Sequence, residues 1–197
     1  MLGSAMATFQ KFSAERAVIG RLIVGYSELE LDLLNCVAMG IDDFDKAIKS
    51  MFGRRGESKR LDAAKLLGRP AYEGLHLASL FDQAITDARY CLKIRNQYAH
   101  HNFYDDNTGK LALVNLEELG KETAPVPNLL ALTANHINVT LLEDQERYFL
   151  GVRATIGYIN YEGRVRAKKI SVNPFSLHAP LPRPKLSCPD TMPRTLQ

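Results

Sequence analysis

The segment Arg95-Asn96-Gln97-Tyr98-Ala99-His100-His101 gathers a permanent cation, an amide and two imidazoles. Histidine titrates near neutral pH and can give or take a proton there. Arginine is always charged, and its planar fork of N–H donors can hold two oxygens of one phosphate or carboxylate. The phase of Arg95 sharpens its interest. With Ala84 set at 0° on a helix, Leu77, Leu80, Ala88 and Cys91 all fall within about 40° of it, and Arg95 falls at about 20°. A cation inside an apolar stripe needs an acidic partner, an opening of the bundle to solvent, or an anionic ligand, because an unpaired buried charge is expensive. Glu30 occupies the matching place on an earlier stripe, about 40° from Tyr26. It is therefore a candidate counter-charge for Arg95, or an acid that orients His100.

Other routes to chemistry are absent from the sequence. No G-x-x-x-x-G-K-S/T segment and no G-x-G-x-x-G after a strand is present, so the known phosphate-cradling loops are excluded. No H-E-x-x-H occurs, and Glu73-Gly74-Leu75-His76 is a single E-x-x-H where a di-metal bundle needs two. We expect no metal and no cofactor. Cys36, Cys91 and Cys188 are widely spaced, with no C-x-x-C pair. Cys36 and Cys91 sit in apolar helical patterns, as buried thiols of a reducing compartment do.

The elements that must position these residues read as mostly helical. A long helix spans 14–39, with Ser13 as its cap, the stripe Ile19, Leu22, Tyr26, Leu29, Leu33 and Val37, and Gly40 as its stop. A short helix at 42–52 opens on Asp42 and Asp43. A helix capped by Ser58 runs to about Leu67 and ends at Gly68-Arg69-Pro70. The next spans about Gly74–Ala99 and carries the Arg95 motif at its end. Phe103-Tyr104 and Lys110–Asn115 flank Asp105-Asp106-Asn107-Thr108-Gly109, the composition of a β-hairpin turn. A final helix covers about 139–167. The expected fold is mainly α: a four-to-five-helix up-down bundle with a small β-hairpin inserted before the last long helix. Residues 1–171 form the bundle. Residues 172–197 form a proline-rich tail, extended and either loose or draped over a partner surface, since six of the nine prolines lie between Pro174 and Pro193.

The net charge of +3 over 197 residues hides a split. Residues 164–197 hold seven Lys/Arg against Asp190 alone, a balance of +6, and residues 1–163 balance at −3. A second basic stretch, Arg54, Arg55, Lys59, Arg60, Lys65 and Arg69, is offset only by Glu57 and Asp62. Both stretches fit a solvated surface or sequence-independent contacts to phosphates. No apolar run approaches the roughly 18–20 residues of a membrane span. The N-terminus has no signal core, so a cytoplasmic protein is expected. Met1 and Met6 are both candidate starts.

Arg95-Asn96-x-x-x-His100 resembles the Arg-polar-x(3–5)-His signature of HEPN-domain proteins. Asn96 is the polar residue favoured there, and the motif closes a long helix of an α-bundle. The resemblance covers roughly residues 14–167. It implies a metal-independent endoribonuclease, with RNA as substrate and the motifs of two protomers facing one cleft in a homodimer. It also suggests a toxin or defence effector with a cognate antitoxin protein. Arg95, His100, Asn96 and Glu30 are then the catalytic candidates, and Arg54, Arg55, Lys59, Arg60, His101 and Tyr104 the RNA-binding ones. His101 is either an assistant to His100 or a cap at the helix C-terminus. HEPN toxins silenced by nucleotide transfer carry a tyrosine two residues after the histidine, where this chain has Asn102. Geometry adds a condition. On an unbroken helix, Arg95 and His100 point roughly 140° apart, so a shared site needs a frayed helix end or a dimer cleft. The alternative is a non-catalytic HEPN-like module that binds RNA or protein.

Overall fold

The computed structural model describes residues 5–53, 55–121 and 135–188. Their elements run α1 (Ala5–Lys11), α2 (Ser13–Ile41), α3 (Phe44–Phe52), α4 (Glu57–Gly74), α5 (Ala78–His100), β1 (Asn102–Asp105), β2 (Leu111–Val114), α6 (Leu116–Leu119), β3 (Asn135–Ile137) and α7 (Val139–Arg166). The protein is mainly helical with a small antiparallel sheet, as the sequence predicts. The chain divides into two compact units, and the long helices α2, α5 and α7 contribute residues to both. One unit is helical (residues 24–95 and 147–183). The other carries the sheet (within residues 1–23, 96–146 and 184–197).

In the helical unit, glycines and aromatic rings set how closely the helices approach. Tyr72 on α4 is fully buried, and its hydroxyl donates to the Cys36 carbonyl of α2 at 2.8 Å. The Cys36 thiol lies 3.0 Å from the Tyr72 hydroxyl oxygen, and burial pushes that thiol up to about 12. Gly40, expected as the stop of α2, is instead helical. A Cβ there would meet the Tyr72 ring at 3.1 Å, so the glycine serves close packing. Tyr72 stacks on Phe81 of α5, ring centroids 4.8 Å apart, and Gly68 leaves room for that Phe81 ring. From α7, Arg153 reaches Asp32 of α2 at 2.7 Å and also pairs with Glu28. Tyr148 meets Tyr90 of α5 edge-on.

Other boundaries also differ from the sequence expectation, among them the start of α5, at Ala78 rather than Gly74. The helix α4 does not end at Gly68-Arg69-Pro70 but continues through Pro70 to Gly74. Proline removes one bond, the one to the carbonyl of Leu66. Leu66 is 76% exposed, so water can satisfy that carbonyl, and the turn beyond Pro70 is rewarded by the burial of Tyr72. The N-cap of α4 is Gly56, not Ser58. Ser13 does not cap a helix start: α1 precedes it, and the Phe12 N–H to Thr8 and Arg16 N–H to Phe12 bonds carry helical bonding across the junction. At α3, by contrast, Asp43 is the cap, accepting from the Lys46 N–H at 2.9 Å.

In the sheet unit, the predicted hairpin forms with Asn102 opposite Val114 and Asp105 opposite Leu111. Its turn is held by Asp105 accepting from the Asn107 N–H and Asp106 accepting from the Thr108 N–H and hydroxyl. Asn107 and Gly109 adopt positive φ, which these residue types tolerate best. A third strand, β3, pairs with β2 through Ala112 opposite His136. Three residues are too few to show a strand period, so the sequence did not signal it. The Cys188 N–H donates to the His136 carbonyl at 2.7 Å, which extends the ladder by one bridge.

Two glycine substitutions should separate packing from propensity. Gly68→Ala places a Cβ 2.6 Å from Phe81 Cζ. Overpacking of about 1–3 kcal/mol should outweigh the roughly 1 kcal/mol gained in helix propensity, giving a net loss in urea unfolding. Gly20→Ala on α2 meets nothing within 4 Å and should stabilise by about 0.4–1 kcal/mol in the same assay.

Candidate functional site

Near its C-terminal end α5 buries Cys91, Leu92 and Ile94, which fixes the rotation of the helix and turns Arg95 inward. Arg95 is half-buried. Its guanidinium carbon lies 5.9 Å from the centroid of the Tyr26 ring of α2, and Nη1 is 3.3 Å from Glu57 Oε1 at the start of α4. The carboxylate paired with Arg95 is therefore Glu57 and not Glu30, the counter-charge suggested by the sequence. Glu30 on α2, 6% exposed, is engaged by a different arginine. Arg60 Nη1 donates to both Glu30 oxygens, at 3.2 and 3.0 Å. Arg60 also covers the Phe52 ring of α3 at 5.0 Å.

These five residues, Tyr26, Glu30, Glu57, Arg60 and Arg95, form one charged cluster within the helical unit, two cations against two carboxylates. Its electrostatics follow from burial. Desolvation raises the Glu30 carboxyl above its usual range, Arg60 opposes that shift, and the like charge of Glu57 reinforces it. Burial likewise raises the Tyr26 phenol, and the charges of Glu30, Glu57 and Arg95 all act on it. Tyr26 Oη and Arg60 Nε have no hydrogen-bond partner among the described residues. The N-terminus of α4 is bare of side-chain capping because Gly56 stands at the cap, with φ of +91°.

The remaining motif residues belong to the sheet unit. Asn96 is half-buried, and His100 is exposed in the last turn of α5. The helix does not fray before it, since the His101 N–H still donates to the Gln97 carbonyl at 3.2 Å. His101 is half-buried with Nδ1 unpartnered among the described residues, and burial lowers its pKa from the usual 6.5. Tyr104 is 6% exposed and packs with Ala112, Val114 and Leu119 in the small core of the sheet. Arg55 and Lys59 stand exposed, and Arg54 lies outside the described residues. Sequence reasoning missed Glu57 and Tyr26 as site members. In the sequence Glu57 reads as an acid offsetting a basic stretch, and Tyr26 as a core residue. The signal available was the position of Glu57 directly after a glycine-rich break, at the start of a helix.

The basic C-terminal stretch is partly neutralised within the helical unit. Arg166 pairs with Glu162 at 2.9 Å, Lys169 with Asp42, and Arg183 with Asp87 at 3.3 Å. Residues 173–183 follow the unit's own helices. The Asn173 amide donates to the Tyr158 carbonyl, Phe175 rests on Tyr161, and Leu181 fills the space above Gly151. A cavity of about 490 Å³ lies beneath this segment, lined by Leu80, Ala84, Val152 and Leu177. Two of its polar members, Asp87 and Tyr148, bond to each other at 2.8 Å. Among the described residues, no trio of His, Cys, Asp or Glu could hold a metal ion, and no helix is long and apolar enough to cross a membrane.

The cluster should dominate the response to mutation and pH. Arg60→Ala leaves Glu30 buried and unpaired, a loss of about 3 kcal/mol in urea unfolding at pH 7. The loss should shrink as pH falls, because the raised Glu30 carboxyl of the folded state takes up its proton before an unperturbed carboxylate does. Glu30→Gln in the Arg60→Ala background should recover most of it. His101 gives the opposite sign. Its folded pKa lies below 6.5, so the unfolded chain protonates first. The melting temperature should therefore fall as pH drops from 6.5 through the folded value, and His101→Gln should remove that component. No family model matches the chain, and the searches of curated proteins and of solved structures found no match either.

Proposed function

We propose that the protein is a metal-independent endoribonuclease of the HEPN type, cleaving RNA by attack of the 2′-OH on the adjacent phosphate. The observation that carries this reading is the last stretch of α5. There a half-buried arginine, an amide and a solvent-exposed histidine follow one another at the spacing of the Arg-polar-x(3–5)-His motif. His100 is the proton-transfer group, Arg95 holds the phosphate and its developing charge, and Asn96 orients the histidine or the phosphate. Glu30 supports the arginine side of the site through Arg60. Arg55 and Lys59 supply sequence-independent contacts to the strand. On the unbroken helix the Arg95 and His100 side chains point roughly 140° apart, so the reading includes a homodimer in which a second copy completes each cleft. A toxin or defence role in the cytoplasm, restrained by an antitoxin protein, is the biological setting in which such an activity fits.

One observation favours a second reading. Arg95 already has a carboxylate and an aromatic ring as partners, Glu57 and Tyr26. An arginine so engaged also suits a non-catalytic module that binds RNA or protein, with Arg95 as a structural residue.

The test is incubation of wild type, Arg95→Ala and His100→Ala with end-labelled single-stranded RNA, with and without EDTA. The nuclease reading expects cleavage that survives EDTA and leaves 2′,3′-cyclic phosphate ends. His100→Ala should cost about 10²–10⁴ in rate with its melting temperature unchanged. Chelator-sensitive cleavage, or full activity in both variants, overturns it. No cleavage by the wild type, with a large fall in melting temperature for Arg95→Ala, supports the binding module instead.

A further inference from the structure

The Arg95–Glu57 pair has the composition of a phosphate site filled by the chain's own anion. Two carboxylates face two arginines, but they are held differently. Glu30 is buried and takes two contacts from Arg60. Glu57 meets Arg95 in an ion pair at 3.3 Å, and its side chain is the more exposed of the two acids, 30% against 8%. It is also the first residue of an 18-residue helix whose glycine cap supplies no side-chain acceptor. A helix N-terminus favours an anion, through its first N–H groups and its dipole. A separate observation points to the same place. The Tyr26 hydroxyl is buried beside these charges and has no partner among the described residues. A buried O–H without an acceptor is costly. A phosphate presents oxygens in several directions and can serve a phenol and a guanidinium together, which the Glu57 carboxylate in its present position does not do.

From this cluster we infer that the Glu57 carboxylate occupies the position of an RNA backbone phosphodiester and is displaced by it when single-stranded RNA binds. The inference rests on the RNA reading above and names the group that the arginine side of that site accepts. The exchange conserves charge: a carboxylate of −1 leaves, a phosphodiester of −1 enters, and Arg60 and Arg95 remain balanced by two anions. A phosphomonoester carries close to −2 at neutral pH and leaves the cluster over-neutralised, so internal phosphodiesters are preferred over terminal phosphates. Glu57 is then a positioning residue. It keeps Arg95 oriented without ligand and sets the concentration of RNA needed to take its place.

The experiment measures binding of a short single-stranded oligoribonucleotide, 2′-O-methylated throughout so that it cannot be cleaved. The proteins are the full-length wild type, Glu57→Gln, Glu57→Gln/Arg95→Ala and, as a control for net charge, Glu73→Gln. Removal of the competing carboxylate should tighten binding about tenfold, the scale of one charge-assisted contact. The second substitution should erase the gain, and Glu73→Gln should change binding less than twofold. A 5′-mononucleotide at equal concentration should compete poorly. Unchanged or weaker binding by Glu57→Gln, or a gain that persists without Arg95, overturns the inference. Should Glu57→Gln melt below the assay temperature, Glu57→Asp keeps the charge but draws it away from Arg95, and a gain in the same direction is expected of it. Cleavage measured on the same preparations separates the two ideas. A binding gain with no cleavage by any variant sinks the nuclease alone. Cleavage by the wild type with no binding gain sinks the exchange alone.

Discussion

The carboxylate of Glu30 cannot stay in the core of the helical unit without a cation. It sits on α2 between turns that bury Tyr26, Leu29 and Leu33, and only 6% of the residue is open to water. An unpaired charge there would cost several kcal/mol. Arg60 supplies the cation, so the face of α4 that carries Arg60 must lie against α2 at that level. With Arg60 in place, Glu57 falls three residues earlier at the helix start, against Arg95 of α5. The pairing joins α2, α4 and α5 around Arg95.

Close helix approach supports the same arrangement further along. Gly40, Gly68 and Gly163 stand where Tyr72, Phe81 and Met39 need the space of a side chain. The Tyr72 hydroxyl, bonded to the Cys36 carbonyl, keeps α4 on α2 at the other end of the contact from Arg60. The result is a packed frame around a charged cluster, with polarity concentrated where α4 starts and apolar contacts beyond it. A frame of this kind restrains the Arg95 and Arg60 side chains.

The charge asymmetry has a structural answer. Read along the chain, the stretch from Arg164 is strongly basic and the body before it mildly acidic. In the helical unit, Arg166, Lys169 and Arg183 each meet a carboxylate. Exposed pairs of this type are individually weak, about 0–1 kcal/mol. Together with the Phe175–Tyr161 contact and Leu181 over Gly151, they direct a segment without regular secondary structure along the helices that precede it.

The helices, the hairpin and the motif were legible because each has a local cause: the 3.6-residue apolar stripe of α2, the Asp-Asn-Gly turn after β1, and the order Arg95-Asn96-x-x-x-His100 within one helix. The passage of α4 through Pro70, the strand β3 and the pairing of α1 with α2 were not, since their stabilisation comes from Tyr72, from the β2 edge and from the bonds around Phe12. The site divides in the same way. Helical periodicity alone places Arg95 and Glu30 on apolar stripes, where a lone ion is costly, and leaves Arg95 an acidic partner, an opening to solvent or an anionic ligand. Which charges meet follows from the packing of the helices. The partner of Glu30 is 30 positions away and that of Arg95 is 38 positions away. Helical periodicity fixes the direction of a side chain about its own axis, and only the packing of α4 between its neighbours sets what that direction meets.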